Sequence, residues 1–443
     1  MISLPPYITS PLYPNKPQNP NNLRKTRPPA PPVSNSDHYH TERGLQFDAG
    51  DTFFRRESAT GRDLGVLAAA LHKKTHHSLR VLDALCGCGI RSLRYLIEAD
   101  ADFVWANDAN ENHGNVILSN LSQVSRGFGE NRRWVVTHCD ANAVMADSFV
   151  HKEYFDFIDV DSFGSDSSFL RAAFNALRFG GLLYLTSTDG YTSGGHRPQH
   201  CLAAYGAYLR PMPYSNELGL RMLIAGAVRE ASVLGYHVVP LFSYYSYHGP
   251  VFRVLLQVKR GKLPNNSLGD CTLIQLFLTV TTVLLATAIN VGIHKRFHGT
   301  DLVPGSLVVS GPLYTGPLHS ATYLAEMLNL AEQWGWTGNG TGKDLEKLLK
   351  QLIDESDPKL PFGFIKLDEL ASRAKIDSPP LLTMMSALHK VPSQMYWNFC
   401  FLSAEISHKT LSECMKLSTM DTEIIEEAGP TRSNRNQAVK AQV

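Results

Sequence analysis

Apolar positions between residues 62 and 260 switch regularly between two spacings. Leu64, Leu67, Ala68 and Leu71 recur three and four apart, which predicts a helix over residues 62–74. Short apolar runs predict strands at Leu79–Leu82, Phe103–Asn107, Trp134–His138, Phe155–Val160 and Leu182–Ser187, the last turned in by Gly180-Gly181. Helical patterns lie between them at Ile90–Ala99, from Asp108 through Asn120, and at Ser168–Arg178. Such alternation indicates an α/β fold, a doubly wound parallel sheet covered on both faces, which binds ligands outside the carboxyl ends of its strands. A helix over Leu218–Leu234 and an antiparallel pair, Val238–Tyr245 and Val251–Val258, complete this part.

The pattern then changes. Cys271 to Ile293 carries no charge and is long enough to cross a bilayer. Its five threonines, Gln275 and Asn290 argue instead for a buried or irregular insertion. Helices are expected at Ala321–Trp334 and Asp344–Glu355. Phe364–Ala371, with Ser378-Pro379-Pro380 and a helix to His389, resembles the helix-turn-helix part of a winged-helix module. The expected layout is a disordered leader (1–44), a first domain (45–260), a linker or insertion (261–305), a smaller, mainly helical second domain (306–392) and a polar tail (393–443). No internal repeat is visible.

Composition narrows the picture. The 443 residues are 43% apolar and 19% charged, with a net charge of +1, so bulk basicity of a histone-like kind is excluded while a local basic groove is not. Seven cysteines without a repeated CxxC fit neither a disulfide framework nor a zinc ribbon, and no metal is expected. The first 36 residues hold ten prolines, four basic residues and no acid. That stretch has too little apolar content to repay its ordering entropy, and its composition points to an organelle (mitochondrion or plastid) or the nucleus.

The chemistry concentrates after the predicted strands. Asp83-x-x-x-Gly87-x-Gly89 is a turn whose glycines let a ligand approach the backbone, and its lengthened form suits S-adenosylmethionine; an ordinary glycine turn is the alternative. Asp108 ends the second strand, where an acid accepts both ribose hydroxyls of NAD or S-adenosylmethionine, or caps a helix. Asp140-Ala141 ends the third and would flank an adenine, or again cap a helix. Asp161-Ser162-Phe163-Gly164 follows the fourth strand and resembles the Asp-Pro-x-x loops of enzymes that methylate exocyclic amines. A nucleobase amine is a poor nucleophile; an acceptor for its N–H (Asp161) and an aromatic face for the base (Phe163) favour in-line attack on a methyl donor. Cys86 and Cys88 read as small loop residues, and His72, His76 and His77 as a solvated helix end.

Asp83-Ala84-Leu85 with Gly89-Ile90-Arg91, Asn107-Asp108-Ala109-Asn110, Asp140-Ala141-Asn142-Ala143, Asp159-x-Asp161-x-Phe163-Gly164-Ser165 and Gly311-Pro312-Leu313-Tyr314 together resemble the tRNA guanine-26 N2-dimethyltransferase family over roughly residues 50 to 390. The resemblance implies a Rossmann-like methyltransferase sheet, S-adenosylmethionine held by Arg62, Arg91, Asp108, Asp140 and Ala141, and methylation of N2 of a guanine at position 26 of tRNA. The second domain would grip the tRNA. A monomer is expected, with neither DNA nor membrane as partner. Ser162 stands where the family usually has Pro, the cysteine pairs often found between the domains are missing, and the chain diverges after Val391. Ser162 and the altered linker leave open a tRNA-binding protein without turnover; a second alternative is an amino-methyltransferase of another nucleic acid, such as DNA.

Overall fold

The computed structural model describes residues 39–212, 214–246, 248–260, 274–280, 307–338, 341–357, 377–378 and 380. An antiparallel hairpin of β1 (Tyr39–Glu42) and β2 (Leu45–Asp48) comes first, turning at Arg43-Gly44 with positive φ at both residues. Residues 39–44, expected in the leader, are therefore structured. Local composition misses this because the hairpin is held from outside: Glu42 pairs with Arg62 and Arg94, Arg43 pairs with Asp63, and Phe47 is buried.

The alternating part follows as α1 (Ala59–His76), β3 (Arg80–Asp83), α2 (Ile90–Ile97), β4 (Phe103–Asn107), α3 (Gly114–Leu121), β5 (Trp134–Thr137), α4 (Ala141–His151), β6 (Phe155–Asp161), α5 (Leu170–Ala176) and β7 (Leu177–Ser187). Next come α6 (Gly190–Ser193), α7 (Pro198–Tyr205), α8 (Ser215–Val233), β8 (Tyr236–Ser246) and β9 (Val251–Arg260). The later described elements are β10 (Ile274–Val280), β11 (Leu307–Tyr314), α9 (Ala321–Gln333) and α10 (Thr341–Asp354).

Seven strands form one sheet in the order β5-β4-β3-β6-β7-β9-β8, with β3 to β7 parallel and β8 and β9 antiparallel. Alternation along each strand divides two cores. Val81, Phe157, Leu182, Tyr184 and Leu255 face α1 and α2, while Leu82, Ile158, Val160, Leu183, Leu185 and Val254 face α5 and α8.

Three details differ from the sequence reading. The helix expected from Asp108 begins as a 3-10 turn, Glu111–His113, before α3. The expected turn at Gly180-Gly181 lies inside β7, which starts directly after α5. Within the uncharged stretch, Ile274–Val280 is a strand, antiparallel to β11; its β-branched residues favour that state. Among the described residues no helix is long and apolar enough to cross a membrane.

Two staples join the later elements to the sheet. Arg221 on α8 donates Nη1 to the carbonyls of Tyr314 (3.1 Å) and Gly316 (3.0 Å), and α9 buries Leu324, Met327 and Leu330 in the core that covers α1. Arg221 also pairs with Glu217 one turn back, as i,i+4 spacing predicts. The helix-turn-helix resemblance at 364–389, apart from Asp377, Ser378 and Pro380, lies outside the described residues, as do the tail and residues 1–38.

Candidate active site

The strand order reverses between β3 and β6, so their carboxyl ends border the crevice where such sheets take ligands. Asp83 and Asp159 are register partners there, and Asp161 lies two residues further along the same face. From α2, Arg91 donates Nη1 to Asp159 Oδ2 (2.9 Å) and Nη2 to Asp161 Oδ2 (2.7 Å). Tyr95, one turn later, donates to the same Asp159 oxygen at 2.6 Å. On the other flank, Arg253 of β9 has Nη1 3.0 Å from Thr186 Oγ1 and 3.5 Å from Asp161 Oδ1.

These neighbours separate the carboxyls. Burial raises the Asp161 pKa, but Arg91 and then Arg253 outweigh it, so Asp161 falls below the usual carboxylate range and is ionised. Asp83 is pushed up to about 8, by burial first and Asp159 second. It is fully buried beneath the turn and accepts Ser92 Oγ at 2.7 Å. Among the expected donor-binding residues, Asp83 is thus a buried carboxyl whose surroundings favour the protonated form.

The turn that follows has φ of 57° at Gly87 and 81° at Gly89, left-handed values that favour glycine. A Cβ on Gly87 would meet nothing within 4 Å among the described residues, so the outer side of the turn faces open space. Asp108 Oδ2 accepts the Gly87 N–H at 2.9 Å, and its Oδ1 accepts the Asn110 N–H at 2.9 Å with His113 Nδ1 at 3.2 Å. A carboxylate has about four lone-pair sites, so capacity remains for a further donor. Asn107, buried, draws the strand ends together, donating to the carbonyls of Ala84 (3.0 Å) and Cys139 (2.9 Å). Asp140 is exposed and caps α4 through Oδ1, and Ala141 is buried at the first helical position. This donor set fits S-adenosylmethionine: a glycine cradle open to its outer side, and an acid at the end of each of the next two strands.

The remaining expected contacts have other partners within the protein. Arg62 is buried, pairs with Glu42, donates to the Arg55 carbonyl at 2.9 Å and lies over the Phe54 ring. Arg91 sits in the acceptor cluster; the contact that the resemblance implies would use the N–H groups its two carboxylates leave. Cys86 and Cys88 are buried, and burial pushes both thiols up. His72 is not solvated: it is 6% exposed, stacks on His76 at 4.1 Å, and burial lowers its pKa to about 4.

Beyond Asp161 the loop turns outward. Phe163 is 71% exposed, and its ring meets Phe53, 61% exposed, edge to face at 4.9 Å. Ser162 Oγ donates to the Thr186 carbonyl at 2.8 Å. Gly164 donates its N–H to Thr188 Oγ1 (2.7 Å), and its carbonyl accepts Ser187 Oγ (2.9 Å). The hydroxyl of Ser162 thus anchors the position where the family's proline would rigidify the backbone.

A family model described as N2,N2-dimethylguanosine tRNA methyltransferase matches residues 38–398. The chain belongs to this family. A tRNA (guanine(26)-N(2))-dimethyltransferase of Pyrococcus abyssi is 29% identical over 349 residues, covering 76% of this chain and 85% of the relative. The protein of the same name from Thermococcus kodakarensis is 35% identical over 292 residues, 63% of this chain and 71% of its own. Among solved structures, Trm1 from Pyrococcus horikoshii in complex with S-adenosyl-L-methionine superposes with a TM-score of 0.62 at 26% identity, covering 80% of this chain and 91% of that one. The sheet is therefore the Rossmann-like methyltransferase sheet of the N2,N2-dimethylguanosine tRNA methyltransferase family.

Asp161, Phe163, Arg91 and Asp83 come together at the β3–β6 crevice, Gly87 and Asp108 beside it, and Asp140 and Ala141 at the tip of β5. Sequence reasoning missed Phe53 and Arg253, and gave Asn107 and Thr186 no role of their own. Asn107 and Phe53 carried a readable signal, a polar residue closing an apolar strand and an aromatic pair ahead of a helix; Arg253 carried none.

Proposed function

We infer that this chain is an S-adenosylmethionine-dependent tRNA (guanine-N2)-methyltransferase that adds one or two methyl groups to the exocyclic amine of guanine 26. The observation that carries this is an aspartate held ionised at the strand edge, beside a glycine cradle and two exposed phenylalanine rings. Gly87, Gly89, Asp108, Asp140 and Ala141, with Arg62 and Arg91, would hold the donor. Bound there, S-adenosylmethionine supplies an electrophilic sulfonium methyl.

The chain's own residues do the rest. Phe163 and Phe53 offer faces against which a base is fixed, worth about 1–3 kcal/mol per stacked base. Asp161 accepts one amine N–H and so orients the nitrogen lone pair. Held by two guanidiniums, it acts as a hydrogen-bond acceptor, and the proton released on methylation passes to water. Exclusion of DNA, a monomeric state, a tRNA-gripping role for residues 306–392, and an organelle or nuclear location accompany this reading. The acid-free, proline-rich first 36 residues favour that location.

Incubation with labelled S-adenosylmethionine and unmodified tRNA, followed by nucleoside analysis, should yield N2-methyl- or N2,N2-dimethylguanosine. Asp161→Ala should remove about 100-fold or more of the rate while donor affinity stays within a few-fold. Undiminished turnover in that variant would remove Asp161 from the mechanism. Label-free RNA with wild-type protein that still binds donor would favour tRNA binding without catalysis.

A further inference from the structure

The register of the sheet fixes where Arg253 stands. Asp161 pairs in register with Thr186, Thr186 with Arg253, and Arg253 with Tyr244. Four side chains from four strands thus stand in one transverse row on the face covered by α1. β9 runs against its neighbour β7, so its third residue reaches the edge where the parallel strands end. Arg253 is 2% exposed, and its Nε has no hydrogen-bond partner among the described residues. Helix α1 yields to it: a Cβ on Gly61 would lie 2.7 Å from Arg253 Nε and 2.7 Å from Tyr244 Oη. A buried cation with an unmatched N–H is costly, and apolar side chains would pack such a site better. Its place 3.5 Å from Asp161 points to the charge.

We propose that Arg253 is a positioning residue for methyl transfer: with Arg91 on the opposite flank, it clamps Asp161 as a fixed anion aligned to accept the substrate amine. This rests on the function proposed above. The charged and titratable groups around Asp161 are Arg91 on α2, Arg253 on β9, Tyr244 on β8, Asp159 on its own strand and Asp83 on β3. Of these charged and titratable groups the two guanidiniums favour the anion, and a hydrogen bond from Thr186 adds to them. Loss of one raises the pH at which Asp161 protonates, and the acceptor disappears below that pH.

Two readouts test this. Carbon-13 NMR of carboxyl-labelled aspartate, with Asp161→Asn assigning the signal, follows protonation without turnover; initial rates on unmodified tRNA follow the acid limb of kcat. In Arg253→Met, the carboxyl signal should protonate at a higher pH than in wild type. Its kcat should fall about tenfold or more, with KM little changed and donor affinity within about threefold. Arg253→Gln carries the same expectation if the Met variant does not fold. Arg253→Lys, which keeps the cation, should recover most of both. An Asp161 titration in the folded neutral variant that superimposes on wild type overturns the proposal, even if activity falls. So does a Lys variant displaced as far as the neutral ones. Wild-type protein that leaves tRNA unlabelled overturns the proposed function instead, while the NMR arm still reads Arg253.

Discussion

Asp83 and Asp161 end neighbouring strands, and their surroundings push them in opposite directions. Asp161 has two guanidiniums within reach; Asp83 has a serine hydroxyl and a second carboxyl. The consequence for stability has a definite sign. Because the folded pKa of Asp83, about 8, lies above its unfolded value near 3.8, the folded state binds more protons between those limits. The contribution of Asp83 is therefore fully present below about pH 3.8 and is lost as pH rises through about 8. Asp83→Asn mimics the protonated carboxyl and removes this dependence. Chemical denaturation should find the variant gaining on wild type as pH rises from 5 to about 8, by an order of about 1 kcal/mol per unit, and level above it; parallel pH profiles would show that Asp83 is ionised when folded. Asp161 and Phe163 were legible in the sequence because a short polar loop after an apolar strand announces itself. The burial of Asp83 was not, since it depends on how the next helix lies over the turn.

At the scale of elements, α1 shows how helix and sheet accommodate the site. Gly61 and Gly65 are four residues apart and so share a face. A Cβ on Gly65 would fall 2.8 Å from Tyr95 Oη, as one on Gly61 would crowd Arg253. On an exposed helix, Gly→Ala stabilises by about 1 kcal/mol. Here Gly61→Ala should destabilise the protein and lower kcat through Arg253; a raised melting temperature with full activity would mean that the side chain yields without cost. The strand β4 keeps the limits its apolar run predicts, Phe103–Asn107, because nothing outside it competes. The hairpin at Tyr39–Asp48 and the strand in the uncharged stretch were hidden for opposite reasons: one is held by distant ion pairs, the other is an apolar run whose period matches neither helix nor strand. Arg253 belongs to the same class. Its meaning comes from a register across four strands, and no local window contains it.

Over the whole molecule, a buried network ties the N-terminal hairpin, α1, α2 and the segment after α9 together. Arg94, fully buried, pairs with Asp63, Glu42 and Glu98 and lies over the Trp336 ring, while Arg43 reaches Asp63 and the Trp336 carbonyl. The hairpin's chain leads on to Phe53, at the rim of the candidate site, and so links the segment after α9 with that rim. The anion clamped at that edge also implies a tally. Guanine's amine carries two hydrogens, the singly methylated base one, the doubly methylated base none, and an acceptor without a proton to give can hold only the first two. Binding of three tRNAs that differ solely in this base should show the last weaker by about tenfold or more, a difference that Asp161→Ala erases. Equal binding of all three would break the link. If it holds, the aspartate that starts the reaction also ends it, because the finished product no longer has a hydrogen by which to be kept.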